Sequence, residues 1–123
     1  MTSIALVTVL RAAGRAGVAV CLWGDPGIGK SALIHAAAEA DGVTCETVIG
    51  SLREPSDFAG LQVVGDDGVR LEAPAWAKRL HAAQAGYLFL DELSTSPPAV
   101  QAAMLGVALE RRVGELQLPR AVQ

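Results

Sequence analysis

The octapeptide GDPGIGKS at positions 24–31 stands between an apolar run, VAVCLW at 18–23, and a helix-forming stretch, SALIHAAAEA at 31–40. Gly24, Gly27 and Gly29 permit backbone angles and close approaches that a Cβ would obstruct, so successive N–H groups can turn inward toward a polyphosphate. Asp25 and Ile28 complete the loop and Pro26 stiffens it. Where the helix begins, N–H groups without intrahelical partners and the positive end of the helix dipole add attraction for phosphate oxygens. Lys30 is then placed to reach the β and γ phosphates, and the Ser31 hydroxyl to bind Mg²⁺. A plain glycine-rich turn with a solvated lysine would need neither a strand before it nor a helix after it, and the flanking sequence predicts both.

The rest of the chain alternates in the same manner. Ile4, Val7 and Leu10 recur every three residues and predict an amphipathic helix over 3–13. Residues 18–23 read as a strand covered on both faces of a parallel sheet. The helix over 31–40 should stop at Gly42, and VTCETVI at 43–49 alternates as a second strand. Residues 63–71 bracket Gly65-Asp66-Asp67-Gly68, a turn suited to a hairpin. Pro74 can open a helix running to residue 85, with Trp76, Ala77, Leu80 and Ala83 on one face and Gly86 as its stop. YLFL at 87–90 is the third strand. A further helix is expected from Ser96 as cap, with Pro97 and Pro98 in its first turn and Val100, Ala103, Met104 and Val107 inward. Residues 112–118 suggest a second hairpin. Strand and helix in alternation predict an α/β fold with a parallel sheet between helical layers.

Asp91-Glu92 directly follows YLFL, which puts two carboxylates at the C-terminal end of a buried parallel strand, where open α/β sheets place their ligands. Asp91 suits Mg²⁺, usually through a coordinated water, and Glu92 can polarise the water that attacks the γ-phosphate. An apolar run ending in an acidic turn is common by itself. Paired with the upstream loop, it favours hydrolysis over simple phosphate binding. GTPases lack a glutamate at this place as the usual base, and no Asn-Lys-x-Asp string occurs, so ATP is the expected nucleotide.

Composition narrows the partners. The 123 residues are 51% apolar and 19% charged, with a net charge of −3, which suits a folded domain and gives no basic stripe for nucleic acid. No run approaches the ~20 apolar residues of a bilayer span, and the N-terminal apolar stretch has no basic segment before it. No membrane association and a cytoplasmic location are expected. Cys21 and Cys45 lie in apolar runs and read as buried free thiols. His35 and His81 read as helix-surface residues.

GDPGIGKS, the strand-borne YLFLDE and LSTSPPAVQAAMLGVALERRV together resemble the AAA+ superfamily of P-loop NTPases, in particular its MoxR-like branch, over about residues 18–119. The segment EPSDFAGLQVVGDDGVRLEAPAWAKRLHAAQAG is similar to that branch's insertion before the Asp-Glu strand. The resemblance implies ring-forming ATPases, usually hexameric, which remodel client proteins or help insert metals or cofactors. Many act beside a partner carrying a von Willebrand factor A domain. It also implies that the hairpins at Asp66-Asp67 and at 112–118 face the ring's pore, although solvated surface turns would read the same. In the family, a strand ending in a polar sensor residue, an arginine finger, a fifth strand and a helical lid follow the equivalent of Pro119. Residues 1–123 are accordingly expected to be a partial ATPase core, and Arg111 and Arg112 stand before the place of the finger. The absent fourth strand belongs between the loop-bearing strand and the Asp-Glu strand, so the sheet centre is expected to be empty. Mg-dependent ATP hydrolysis is then expected of the intact protein. The alternatives are a nucleotide-binding module with little or no turnover, or a product that does not fold.

Overall fold

The computed structural model describes residues 3–22 and 29–123. Helix α1 spans Ser3–Arg15 and α2 spans Lys30–Ala40. Alanine supplies much of α2, and its end follows from Gly42, whose φ of +68° lets the chain reverse while Val43 N–H reaches the Ala38 carbonyl at 3.0 Å. Strand β1 (Cys45–Ile49) leads through a 3₁₀ turn (Gly50–Leu52) into the short helix α3 (Ser56–Ala59). Strands β2 (Leu61–Gly65) and β3 (Gly68–Glu72) form the expected hairpin. Then come α4 (Ala75–Ala83), β4 (Ala85–Asp91) and α5 (Pro98–Glu110). The second expected hairpin is β5 (Arg112–Val113) with β6 (Leu116–Gln117), and β7 (Ala121–Val122) follows.

The central sheet has the order β1-β4-β7, with both pairings parallel. Cys45 stands beside Tyr87 and Ile49 beside Asp91, so β1 and β4 end level. Leu88 and Leu90 of β4 face the larger core, built from Val48, Phe58, Trp76, Leu80, Met104 and their neighbours. Tyr87 faces the opposite way, onto Ala37 and Ala38 of α2, with Val7 and Leu10 of α1 behind them. Helices thus cover both faces of a parallel sheet, the three-layer α/β arrangement expected of a P-loop NTPase. Val100, Met104 and Val107 are buried as the periodicity of α5 predicts.

Several expectations need correction. Residues 18–22 lie in no strand, and Val18 and Val20 are 59% and 44% exposed; Trp23, the end of the expected strand, lies outside the described residues. A groove of ≈ 160 Å³ is lined by Val18 and Val20 of this segment and by Leu88, Leu90, Val107 and Leu118, and no ladder joins residues 18–22 to β4. The edge of β4 on that side is met instead by β7, through Gly86↔Val122 and a 2.7 Å bond from Leu88 N–H to the Gln123 carbonyl. This is where the resemblance puts the fourth strand, so the place is partly filled. Gly86 is not a helix stop. Gln84, at φ +62°, ends α4, and Gly86 belongs to β4, where a Cβ would come within 2.7 Å of Leu80 Cδ2. Ala83 is exposed. Both cysteines are free, but Cys21 is exposed and Cys45 only half-buried. Among the described residues no helix is long and apolar enough to cross a membrane.

Candidate functional site

Of the phosphate-loop residues, Gly24, Asp25, Pro26, Gly27 and Ile28 lie outside the described residues. Gly29 is the N-cap of α2 in the left-handed conformation, φ +86°, a geometry that favours glycine. Lys30 and Ser31 open the helix, and Ser31 is exposed. The first bond of the helical ladder runs from Leu33 N–H to the Gly29 carbonyl at 3.1 Å, with no side chain among the described residues capping the helix. The start of a helix carries the positive end of its dipole, which favours an anion such as a polyphosphate.

Packing fixes where that end points. Asp41, just past the C-terminus of α2, accepts a 2.6 Å hydrogen bond from the Tyr87 hydroxyl near the start of β4. The helix rises about 16 Å over its length at ~1.5 Å per residue. From Tyr87 to Asp91 the strand advances about 13 Å at ~3.3 Å per residue. Since α2 runs back to feed a strand parallel to β4, its N-terminus lies toward the end of the sheet that carries Asp91.

At that end the chain makes a tight acidic turn. Asp91 is the last residue of β4, and its Oδ1 accepts from Glu92 N–H at 2.8 Å. Glu92 is exposed and has φ +58°, a left-handed conformation costing a non-glycine residue about 1 kcal/mol. Its carbonyl accepts from Ser96 Oγ at 2.7 Å and Thr95 Oγ1 at 3.2 Å. Its carboxylate accepts from Ser51 Oγ at 2.6 Å. Ser51 is a residue that sequence reasoning missed. It follows β1 by two positions, and only the level pairing of β1 with β4 brings it beside Glu92.

The Ser96 reading also changes. Its hydroxyl does not cap α5; Pro97 occupies the N-cap position. Pro97 and Pro98 have no N–H to offer, which would leave an N-cap oxygen only Ala99 N–H, and the hydroxyl turns back to Glu92. Gln101 Nε2 donates to the carbonyls of Ser96 at 2.9 Å and Ser94 at 3.5 Å.

Other candidates have different places. His35 is exposed, while His81 is half-buried with Nδ1 unpartnered among the described residues. Arg111, at φ +57°, donates from Nη2 to the carbonyls of Pro119 at 2.9 Å and of Val122, clamping the approach to β7 onto the end of α5. Arg112 is exposed, with Nη2 3.5 Å from Gln117 Oε1.

A parallel sheet between helices, with a helix start and a paired-carboxylate turn toward the C-terminal end of its strands, is the arrangement found in the nucleotide-binding class of α/β proteins. The family described as AAA domain (dynein-related subfamily) matches residues 19–122, and the chain belongs to it. No curated protein and no solved structure matches the chain.

Proposed function

We propose that this chain binds ATP with Mg²⁺ and hydrolyses it, as part of a MoxR-like AAA+ chaperone ATPase. The observation that carries the reading is the Glu92 carboxylate, fixed by Ser51 at 2.6 Å beside Asp91, at the end of the sheet toward which α2 opens. Residues 24–31 cradle the phosphates, Lys30 neutralises charge at the β and γ positions, and Ser31 and Asp91 hold the metal. One hydroxyl and one carboxylate suit Mg²⁺, which keeps much of its water and takes phosphate oxygens for other positions. When bound, Mg²⁺ supplies charge stabilisation to the transferring phosphoryl group. Glu92 accepts a proton from the attacking water and orients it; the Ser51 hydroxyl holds the carboxylate between turnovers.

The family supports assembly into a ring, with a hexamer as the expected size. A client protein, a von Willebrand factor A domain partner, a cytoplasmic setting and pore-facing hairpins at Asp66-Asp67 and 112–118 belong to the same proposal. Nucleic acid and membrane are not among the expected partners.

Titrating the purified chain with a fluorescent ATP analogue tests binding first: Lys30→Ala abolishes it. Phosphate release then tests chemistry. Glu92→Gln should leave binding within about twofold and lower turnover by about a hundredfold or more. Turnover unchanged in Glu92→Gln would remove Glu92 from its role. A second reading, nucleotide binding with little turnover, is favoured by the lack of a ladder between residues 18–22 and β4, because the loop-bearing segment is then not tied to the strand that carries Asp91. Binding that depends on Lys30, with turnover equally low in wild type and Glu92→Gln, identifies it.

A further inference from the structure

The structure assigns Ser96 as the positioning residue that holds Glu92 in its left-handed backbone conformation, and thereby aims the Glu92 carboxylate at Ser51. The inference rests on the reading of Glu92 as the base, but its geometric half stands apart from that reading. Left-handed backbone is unfavourable for a glutamate, so something must hold it at φ +58°. Among the described residues, three hydrogen bonds touch its backbone. The one from Glu92 N–H to Asp91 Oδ1 is exposed, and so is the 3.2 Å bond from Thr95 Oγ1, so water competes with both.

The 2.7 Å bond from Ser96 differs because Ser96 is only 5% exposed. A buried hydroxyl needs an acceptor. The other contact recorded for this one is Met104 Sδ at 3.9 Å, a weak acceptor, while the prolines that follow remove the nearest helix N–H groups. Ser96 is itself anchored by Gln101 through its carbonyl. Gly50 completes the arrangement: a Cβ there would lie 2.3 Å from Ser96 Oγ, so the bare backbone at the exit of β1 packs against the hydroxyl. Ser51, the next residue, then meets the Glu92 carboxylate. Backbone and side chain of Glu92 are thus held from one packed contact between β1 and the start of α5.

The test has a readout that does not need catalysis. Positive φ brings a residue's amide proton close to its own Hα, which gives a strong intraresidue cross-peak in the NMR spectrum of the full chain. In Ser96→Ala the Glu92 cross-peak should weaken several-fold, and Mg-ATP affinity should stay within about twofold, because the phosphate loop is untouched. Turnover should fall by about tenfold to a hundredfold, the effect of misplacing a catalytic group, and should fall no further when Ser96→Ala is added to Glu92→Gln. If Ser96→Ala fails to fold, Ser96→Cys, of nearly the same size with a weaker donor, takes its place with the same readouts. An unchanged cross-peak overturns the inference, as does an equal loss of turnover with and without Glu92. A lost cross-peak with wild-type turnover in Glu92→Gln instead overturns the base assignment and leaves the positioning contact standing.

Discussion

Tyr87 and Asp41 tie the end of α2 to the sheet, away from the acidic turn. The Tyr87 hydroxyl donates at 2.6 Å, and this bond, joined by Arg11 at 2.6 Å, holds the Asp41 carboxyl below its ordinary value against the opposing effect of desolvation. Burial, then the Asp41 bond, push the Tyr87 phenol upward. Tyr87→Phe should cost about 1.5–3 kcal/mol at neutral pH, as for a hydrogen bond to a charged acceptor. A depressed native pKa means stability that is present above the unfolded value of 3.8 and is lost as pH falls through the lower native value. Urea midpoints of the two proteins should therefore differ at neutral pH and converge well below pH 3.8; a gap that persists in acid would assign the loss to packing. Gly50→Ala should be worse than a typical surface change, by about 1–3 kcal/mol, since its Cβ would overlap Ser96 Oγ and sit 2.6 Å from Met104 Sδ. At this scale the places of some motif residues were legible: Gly29, Lys30 and Ser31 stand at the start of α2, and Asp91 ends β4 with Glu92 just after it. Ser51 and the turned-back Ser96 were not legible, because each acts on Glu92 through a strand pairing or a loop reversal that no local spacing records.

The helices with the strongest periodicity are legible in the sequence, and the reason is visible in α4 and α5: Trp76, Ala77 and Leu80, and Val100, Met104 and Val107, are buried in the core, while Ala83, the last of the α4 stripe, is exposed. The end of α4 moved, because Gln84, a left-handed residue other than glycine, ends the helix before the expected stop at Gly86. The two-residue strand β7 carries too little pattern to be seen, and its position depends on Arg111, which reaches from the end of α5 to the carbonyls of Pro119 and Val122. Replacing Arg111 by Ala removes these charge-assisted bonds, worth about 1.5–3 kcal/mol where the partners are buried. The expected result is local. Amide exchange at Leu88 and Gln123, whose N–H groups bond across the β4–β7 edge, should speed up by at least about tenfold while the β1–β4 amides keep their protection. Uniform acceleration of both sets would show that Arg111 supports the whole fold and not this edge.

Across the molecule, the fold class was legible because strand and helix alternate with the hydrophobic patterns of a covered parallel sheet. The place of residues 18–22 was not, since an apolar run records a wish for burial but not which neighbour supplies it. Exchange at the amides of residues 19–22 should be fast, near that of an unstructured peptide, even while β4 exchanges slowly; Val18 N–H is held back by its 2.9 Å bond to the Ala13 carbonyl. Slow exchange there would mean that the segment joins the sheet in solution. Cys21 gives the same segment a chemical label of its own. A maleimide should alkylate it quickly, and Cys45 slowly, because burial pushes the Cys45 thiol upward and leaves little thiolate to react. Any ligand or partner that draws residues 18–22 onto β4 will shield that sulfur, so the alkylation rate of one side chain becomes a running record of whether the phosphate loop has been brought into line with the acidic turn.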